Sequence, residues 1–166
     1  PELTAEERKL QILMAILSNY TPDCVVKAWV ECTMEDMQKT LKTGDNVRHF
    51  CHKFETAVNI AVHDPYRAVT HNKGIFNGID SVVLATANDF RAIEACGHAY
   101  AARDGQYRSL SRCIIKDDTF RFELEIPLAL GTVGGLTKLH PLAKMSLQIL
   151  GQPSARELMQ VIAATG

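Results

Sequence analysis

The stretch DPYRAVTHNKGIFNGIDSVVLATANDF, residues 64–90, gathers the groups of this chain best suited to meet negative charge. Arg67 brings a guanidinium, Lys73 an ammonium set between Asn72 and Gly74, Asn77 an amide and Asp89 a carboxylate, all among glycines and small apolar residues. Lys73 and Asn77 are four residues apart and so share a helical face. The apolar run that follows places Lys73 at the start of a helix, with Arg67 just ahead in a segment that Asp64-Pro65 biases away from helix. Asn88-Asp89 opens the next helix, where a carboxylate is favoured by the dipole. If the two helices pack antiparallel, both starts face one cleft. A buried lysine with a carboxylate partner suits two chemistries: a Schiff base, or a cation that stabilises an oxyanion formed at a carbonyl. Each residue alone has a plainer use. Asp89 caps a helix, Lys73 is a solvated end, and Arg67 pairs with Asp64.

Other chemistries find less support. The six histidines form no pair with a carboxylate at ligand spacing, His49, His52 and His71 reading as surface or helix-end residues, so no metal site is expected. Cys24, Cys32, Cys51, Cys96 and Cys113 are odd in number, with no C-x-x-C, and read as reduced thiols in a cytosolic protein. Eighteen basic residues balance nineteen acidic ones for a net charge of −1, with no basic arm for nucleic acid. The apolar runs are far too short to span a membrane, and PELTAEERKL lacks the apolar core of a signal peptide. The loop GTVGG, with Gly134 and Gly135, offers backbone that a ligand can approach, although two glycines are not a nucleotide fingerprint.

The elements that must hold these residues follow from periodicity. Thr4 and Glu7 form a capping-box pattern ahead of Leu10, Leu13, Met14 and Leu17, which predicts an amphipathic helix over 4–19. CVVKAWVEC predicts a strand over 24–32, followed by a short helix near 34–41. VRHFCHKFETAVNIAVH predicts a helix with Phe50, Phe54, Ala57, Val58 and Ala61 on its buried face. DFRAIEACGHAYAARDG predicts another, stopped by Gly105. YRSLSRCIIKDDTFRFELEIPLAL predicts a hairpin turning at Lys116-Asp117-Asp118, with Arg121, Glu123 and Glu125 on a wet face. Two closing helices start at Pro141 and after Ser154. The class is α+β: a helix-rich core with a short β hairpin or sheet in residues 44–166, and a separate layer or domain in residues 1–43.

The same central stretch, extended to DPYRAVTHNKGIFNGIDSVVLATANDFRAIEACGHAYAARDGQYRSL, resembles the core of class II (bacterial-type) 3-hydroxy-3-methylglutaryl-CoA reductases. That family's pattern is DPYRA-x-THNKGI-x-NGID, an apolar run, then ATGNDWRA. LALGTVGGLTKLHPLAKMSLQILG resembles its Gly-Gly segment, and ILMAILSNYTPDCVVKAWVE the end of its small α/β cofactor domain. The resemblance implies an NADH- or NADPH-dependent, metal-free reduction of the thioester to mevalonate and CoA, or its reverse. It implies that Lys73 stabilises the oxyanion and that Asp89 hydrogen-bonds that lysine. Arg67 would hold the substrate carboxylate, Asn77 would join the polar network, and Gly134 and Gly135 would pass near cofactor and substrate. Active sites at a homodimer interface are implied as well. Ala87 and Phe90 depart from the pattern's Gly and Trp. The E-N-x-x-G segment, the D-A-M-G-x-N loop and a C-terminal histidine segment are absent, so a fragment without turnover of its own is expected. The alternative is a non-catalytic binding or assembly module that keeps the reductase core and dimer surface.

Overall fold

The computed structural model describes residues 4, 6–9, 11, 13–41 and 46–166. Among them the chain forms a three-stranded antiparallel sheet and seven α-helices. The strands are β1 (Val25–Thr33), β2 (Ser111–Lys116) and β3 (Thr119–Pro127), in the order β1-β3-β2. The helices are α1 (Met34–Thr40), α2 (Val47–His63), α3 (Pro65–Ala85), α4 (Phe90–Ala101), α5 (Gly135–Leu139), α6 (Pro141–Ile149) and α7 (Ala155–Thr165).

β3 organises the sheet because its two faces differ in chemistry, as its alternation predicts. Phe120, Leu124 and Ile126 are buried under helices. On the other face Arg121 pairs with Glu31 at 3.2 Å and Glu123 at 3.0 Å, and Lys27 pairs with Glu125 at 2.6 Å. The Arg121 guanidinium also lies 4.9 Å from the centre of the Trp29 ring, which shelters part of an edge strand that is otherwise half solvent. β1 is matched to β3 from Val25↔Pro127 through Thr33↔Thr119. Residues 25–33 therefore share one sheet with residues 119–127.

Two apolar clusters meet along β3. Met34, Val47, Cys51, Val58, Cys113 and Phe120 form one under α1 and α2, where the Phe54 ring stands edge-on to Phe120 and Phe122 at 5.5 and 5.3 Å. The larger one joins α3, α4 and α7 to Leu124 and Ile126 through Phe76, Ile79, Val83, Ile93, Leu158 and Ile162. The face of α2 is rotated from expectation: Cys51 is buried, whereas Phe50 and Ala57 are exposed. The expected helix over 4–19 also fails. Thr4 and Glu7 do make both capping-box bonds, but only a 3-10 turn at Glu7–Lys9 follows, and Leu13, Met14, Ile16 and Leu17 are 71–94% exposed. A short amphipathic helix needs a surface for its apolar stripe, and among the described residues Leu13, Met14 and Leu17 face solvent, Leu10 lying outside them. The two closing helices form as expected, α7 with a complete capping box between Ser154 and Glu157.

Helix α3 is the axis of the larger cluster. It lets α7 cross closely at Gly78, where a Cβ would stand 1.7 Å from the Thr165 carbonyl oxygen. Towards α4 it presents Asp80, whose Oδ1 is buried without a hydrogen-bond partner. Burial, and then the neighbouring Glu94 carboxylate, push the Asp80 carboxyl up to about 6. Between α3 and α4 the chain turns through Ala87, whose φ of +56° lies in the left-handed region that disfavours a Cβ.

Two stability predictions follow from these last features. Ionising Asp80 is harder in the fold than in the unfolded chain, so it subtracts stability progressively as pH rises from about 4 to about 6 and fully above that. Asp80→Asn should therefore stabilise the fold at pH 7.5 by about 1 kcal/mol after allowing for solvent screening, read as a raised thermal midpoint, and the gain should vanish below pH 4. Ala87→Gly should stabilise by about 1 kcal/mol in denaturant melts by relieving the left-handed alanine, unchanged across pH.

Candidate active site

Asp64 caps α3 by accepting the backbone N–H of Tyr66 at 2.9 Å, and Pro65 occupies the first helical position. Proline there is pre-organised for helix, so Asp64-Pro65 starts the helix that it was expected to delay. Arg67 consequently sits in the first turn of α3, and Lys73 lies in the helix middle instead of at its start. Among the described residues Arg67 makes no ion pair with Asp64.

The residues that fix the orientation of Lys73 are its two predecessors. Asn72 is fully buried; its Nδ2 donates to the Arg108 carbonyl at 2.9 Å and its Oδ1 accepts the Leu110 N–H at 3.0 Å. His71 is half-buried, its Nε2 2.6 Å from the Ser111 hydroxyl. Burial, and then the Arg67 charge, hold its imidazole below the usual histidine range. His71 is thus an internal anchor and not the surface or helix-end residue expected. With both residues tied to the strand that enters β2, the helical turn carries Lys73 outward, and Asn77 follows one turn later. Both are exposed, while Arg67 is half-buried. The expectation of a buried lysine is corrected on this point: within this chain the Lys73 side chain is open to solvent.

Asp89 begins α4 as expected. Its Oδ1 accepts the N–H groups of Arg91 and Ala92 at 3.0 and 3.1 Å, with Arg91 Nε at 3.9 Å. Among the described residues Lys73 and Asp89 form no ion pair. The capping use of Asp89 is therefore present, and the lysine partnership is not formed by this chain's own geometry. Two helix starts facing one cleft is likewise corrected, because only Asp89 is at a helix start.

Asp89 instead lines a cleft of about 940 Å³ with Leu84, Asn88, Phe90, Leu136 and His140. That cleft joins the α3–α4 turn to the segment after the glycine loop, and Arg67, Lys73 and Asn77 do not line it. Gly134 and Gly135 have φ of +81° and +48°, and no atom lies within 4 Å of where a Cβ would stand on either. The loop is bare backbone with open space around it, which suits a close approach by a ligand. Gly134 also borders a second cavity of about 680 Å³ with Thr137, Lys144 and Gln148.

Sequence reasoning missed Asn88. Its Oδ1 accepts the Gly131 N–H at 2.9 Å, and its Nδ2 donates to Thr86 Oγ1 at 3.1 Å and less closely to the Thr86 carbonyl at 3.4 Å. An asparagine beside a left-handed residue and ahead of a capping aspartate was the available signal. Ala87 shows why the resembled pattern has glycine at that position. Among the described residues no three of His, Cys, Asp and Glu come together as metal ligands, and no helix is long and apolar enough to cross a membrane.

Residues 2–166 match the family model for hydroxymethylglutaryl-coenzyme A reductase. A 3-hydroxy-3-methylglutaryl-coenzyme A reductase of Archaeoglobus fulgidus is 49% identical over 110 residues, which is 66% of this chain and 25% of that protein. A probable 3-hydroxy-3-methylglutaryl-coenzyme A reductase of Borreliella burgdorferi is 33% identical over 156 residues, 94% of this chain and 36% of that protein. The fold is similar to that of a class II 3-hydroxy-3-methylglutaryl-CoA reductase from Streptococcus pneumoniae bound to NADPH in open conformations. The TM-score is 0.88 at 42% identity, over 96% of this chain and 43% of that one. The chain thus spans between a quarter and somewhat over two-fifths of the lengths of these proteins. With a family model matched almost end to end and the motif residues placed together on α3, this chain belongs to the hydroxymethylglutaryl-coenzyme A reductase family.

Proposed function

We propose that this chain supplies the lysine-bearing core of an NAD(P)H-dependent hydroxymethylglutaryl-CoA reductase. The reaction converts the thioester to mevalonate and free CoA, or runs in reverse. The observation that carries this reading is the division of labour within THNKGIFNGID. His71 and Asn72 turn inward and lock α3 to the entry of β2, so that Arg67, Lys73 and Asn77 are held on a rigid helix and not on a loop.

The thioester carbonyl gathers negative charge on its oxygen as hydride is added, and an ammonium at Lys73 stabilises that charge. The nicotinamide cofactor, when bound, would supply two hydrides in succession, two NAD(P)H being used per thioester taken to the alcohol. In the assembled site Asp89 would hydrogen-bond the lysine, using a carboxylate already fixed by the α4 cap. Arg67 grips the substrate's free carboxylate through a paired donor fork that lysine cannot offer. Asn77, one turn from Lys73, holds the same polar network. The bare backbone at Gly134 and Gly135 admits the nucleotide side.

Lys73 and Asp89 are apart in this chain, and Lys73 is exposed. This supports a complete site assembled with further protein, either from the rest of a longer chain or across a homodimer. We assign residues 1–43 to the remnant of a cofactor-binding domain and residues 44–166 to the substrate-binding core, and place the protein in the cytosol.

The test is steady-state kinetics of the full-length protein. Lys73→Ala should lower kcat by about 10²–10³ with little change in KM. Arg67→Ala should chiefly raise KM for the thioester, by about 10²-fold, as expected for a charge-assisted contact. A Lys73→Ala protein that keeps more than a tenth of the wild-type kcat would sink the assignment. Wild-type protein that binds the thioester yet oxidises no NAD(P)H would favour a binding module instead.

A further inference from the structure

The α3–α4 turn and the glycine loop lie 43 residues apart in sequence at Asn88 and Gly131, yet they share a hydrogen bond between the Asn88 Oδ1 and the Gly131 N–H at 2.9 Å. We infer that Asn88 is a positioning residue that latches the nucleotide-side glycine loop to the turn carrying Asp89, so that loop order and carboxylate placement change together. The inference rests on the reading of Asp89 and the glycine loop given above.

The asparagine is well held for this task. Its amide donates to Thr86 Oγ1 at 3.1 Å, and the Thr86 hydroxyl is buried and itself donates to the Val82 and Val83 carbonyls at the end of α3. The Asn88 backbone N–H bonds the Val83 carbonyl at 2.9 Å. The Nδ2 bonds to Thr86 thus fix the side chain against the end of α3, the backbone bond to Val83 holds its stem, and its Oδ1 accepts from Gly131. The neighbour on one side is the left-handed Ala87, and on the other is the capping Asp89. Any rotation of this turn moves the carboxylate and the Gly131 attachment as one piece.

At its other end the loop is closed by a bond from the buried Thr137 hydroxyl to the Gly134 carbonyl, and the stretch between is open. Gly131, Val133 and Gly134 are exposed, and the two positive φ values at Gly134 and Gly135 leave the backbone free of side-chain constraint. Asn88 and Asp89 line the same large cleft as Leu136 and His140, the residues that follow the glycines. The latch therefore sits at the edge of that cleft and sets how far the loop stands from Asp89. A single neutral hydrogen bond contributes about 1 kcal/mol, enough to change the loop's occupancy of the docked position about fivefold.

The test compares Asn88→Ala, Asn88→Leu and Asn88→Asp in the full-length protein, reading KM for each substrate and the exchange rate of the Gly131 amide by NMR. Asn88→Ala and Asn88→Leu remove the acceptor and should raise the nucleotide KM about five- to tenfold. The thioester KM, governed by Arg67 on the separate α3 face, should stay within about threefold. Gly131 exchange should speed up by the same five- to tenfold factor. Asn88→Asp keeps the acceptor for Gly131 but loses the donation to Thr86, so the Gly131 exchange and the nucleotide KM should both fall between wild type and Asn88→Ala. Equal rises in both KM values, or an Asn88→Asp protein as impaired as Asn88→Ala, would overturn the latch. Unchanged Gly131 exchange in Asn88→Ala would overturn it whatever the kinetics. Failure of the reductase reading would show differently, as wild-type protein without turnover while the Gly131 exchange still responds to the acceptor.

Discussion

The amide of Asn72 bridges a carbonyl and an N–H two residues apart at the entry to β2, from a position with no solvent contact. Losing it would leave the Arg108 carbonyl and the Leu110 N–H without a partner, each at a cost of about 1–3 kcal/mol. Through this bridge the longest helix is set in both rotation and height against the sheet. Everything on its outer face inherits that setting, including Arg67, Lys73 and Asn77. The His71–Ser111 bond on the same turn acts in the same sense, so α3 resists twisting about its own axis.

The sheet in turn is held by a division between greasy and charged faces that a one-residue slip would reverse. Glu125 shows how tightly that face is specified. It accepts from the Tyr100 hydroxyl at 2.5 Å, pairs with Lys27, and stands 3.9 Å from Arg103, whose guanidinium stacks over the Tyr100 ring. Hydrogen bonds from Lys27 and Tyr100 hold its carboxyl below the usual range despite partial burial. β1, β3 and the α4 end are thereby joined at one charged point.

Periodicity made most helices and all three strands legible, because α2, α6, α7 and the β3 alternation each bury a clear face. It failed at 4–19, where the pattern and cap were sound but a packing partner was lacking, and tertiary contact decides such cases. It misplaced the start of α3 because the two effects of Asp64-Pro65, a bias against helix before proline and a preference for proline at N1, point to boundaries several residues apart. The motif itself identified the chemistry through resemblance. Spacing alone grouped Lys73 with Asn77 and put Asp89 at a cap, all of which the coordinates contain. The inward use of His71 and Asn72 was not legible, since their partners at 108–111 are distant in sequence. Asn88 was hidden for the same reason, with Gly131 as its partner.

If Lys73 is the oxyanion-stabilising group proposed above, its exposure decides when this core can act. An ammonium and an oxyanion 4 Å apart attract by about 1 kcal/mol in bulk water but by about 4 kcal/mol at the effective dielectric of a covered protein surface. The rigid placement of Lys73 therefore carries little catalytic force while water surrounds it, and salt at physiological strength weakens it further. Covering the α3 face changes no bond in this chain, yet it multiplies the field of a charge already in position. Chemistry of this kind is gated by solvent exclusion, and the gate belongs to whatever protein surface closes over α3.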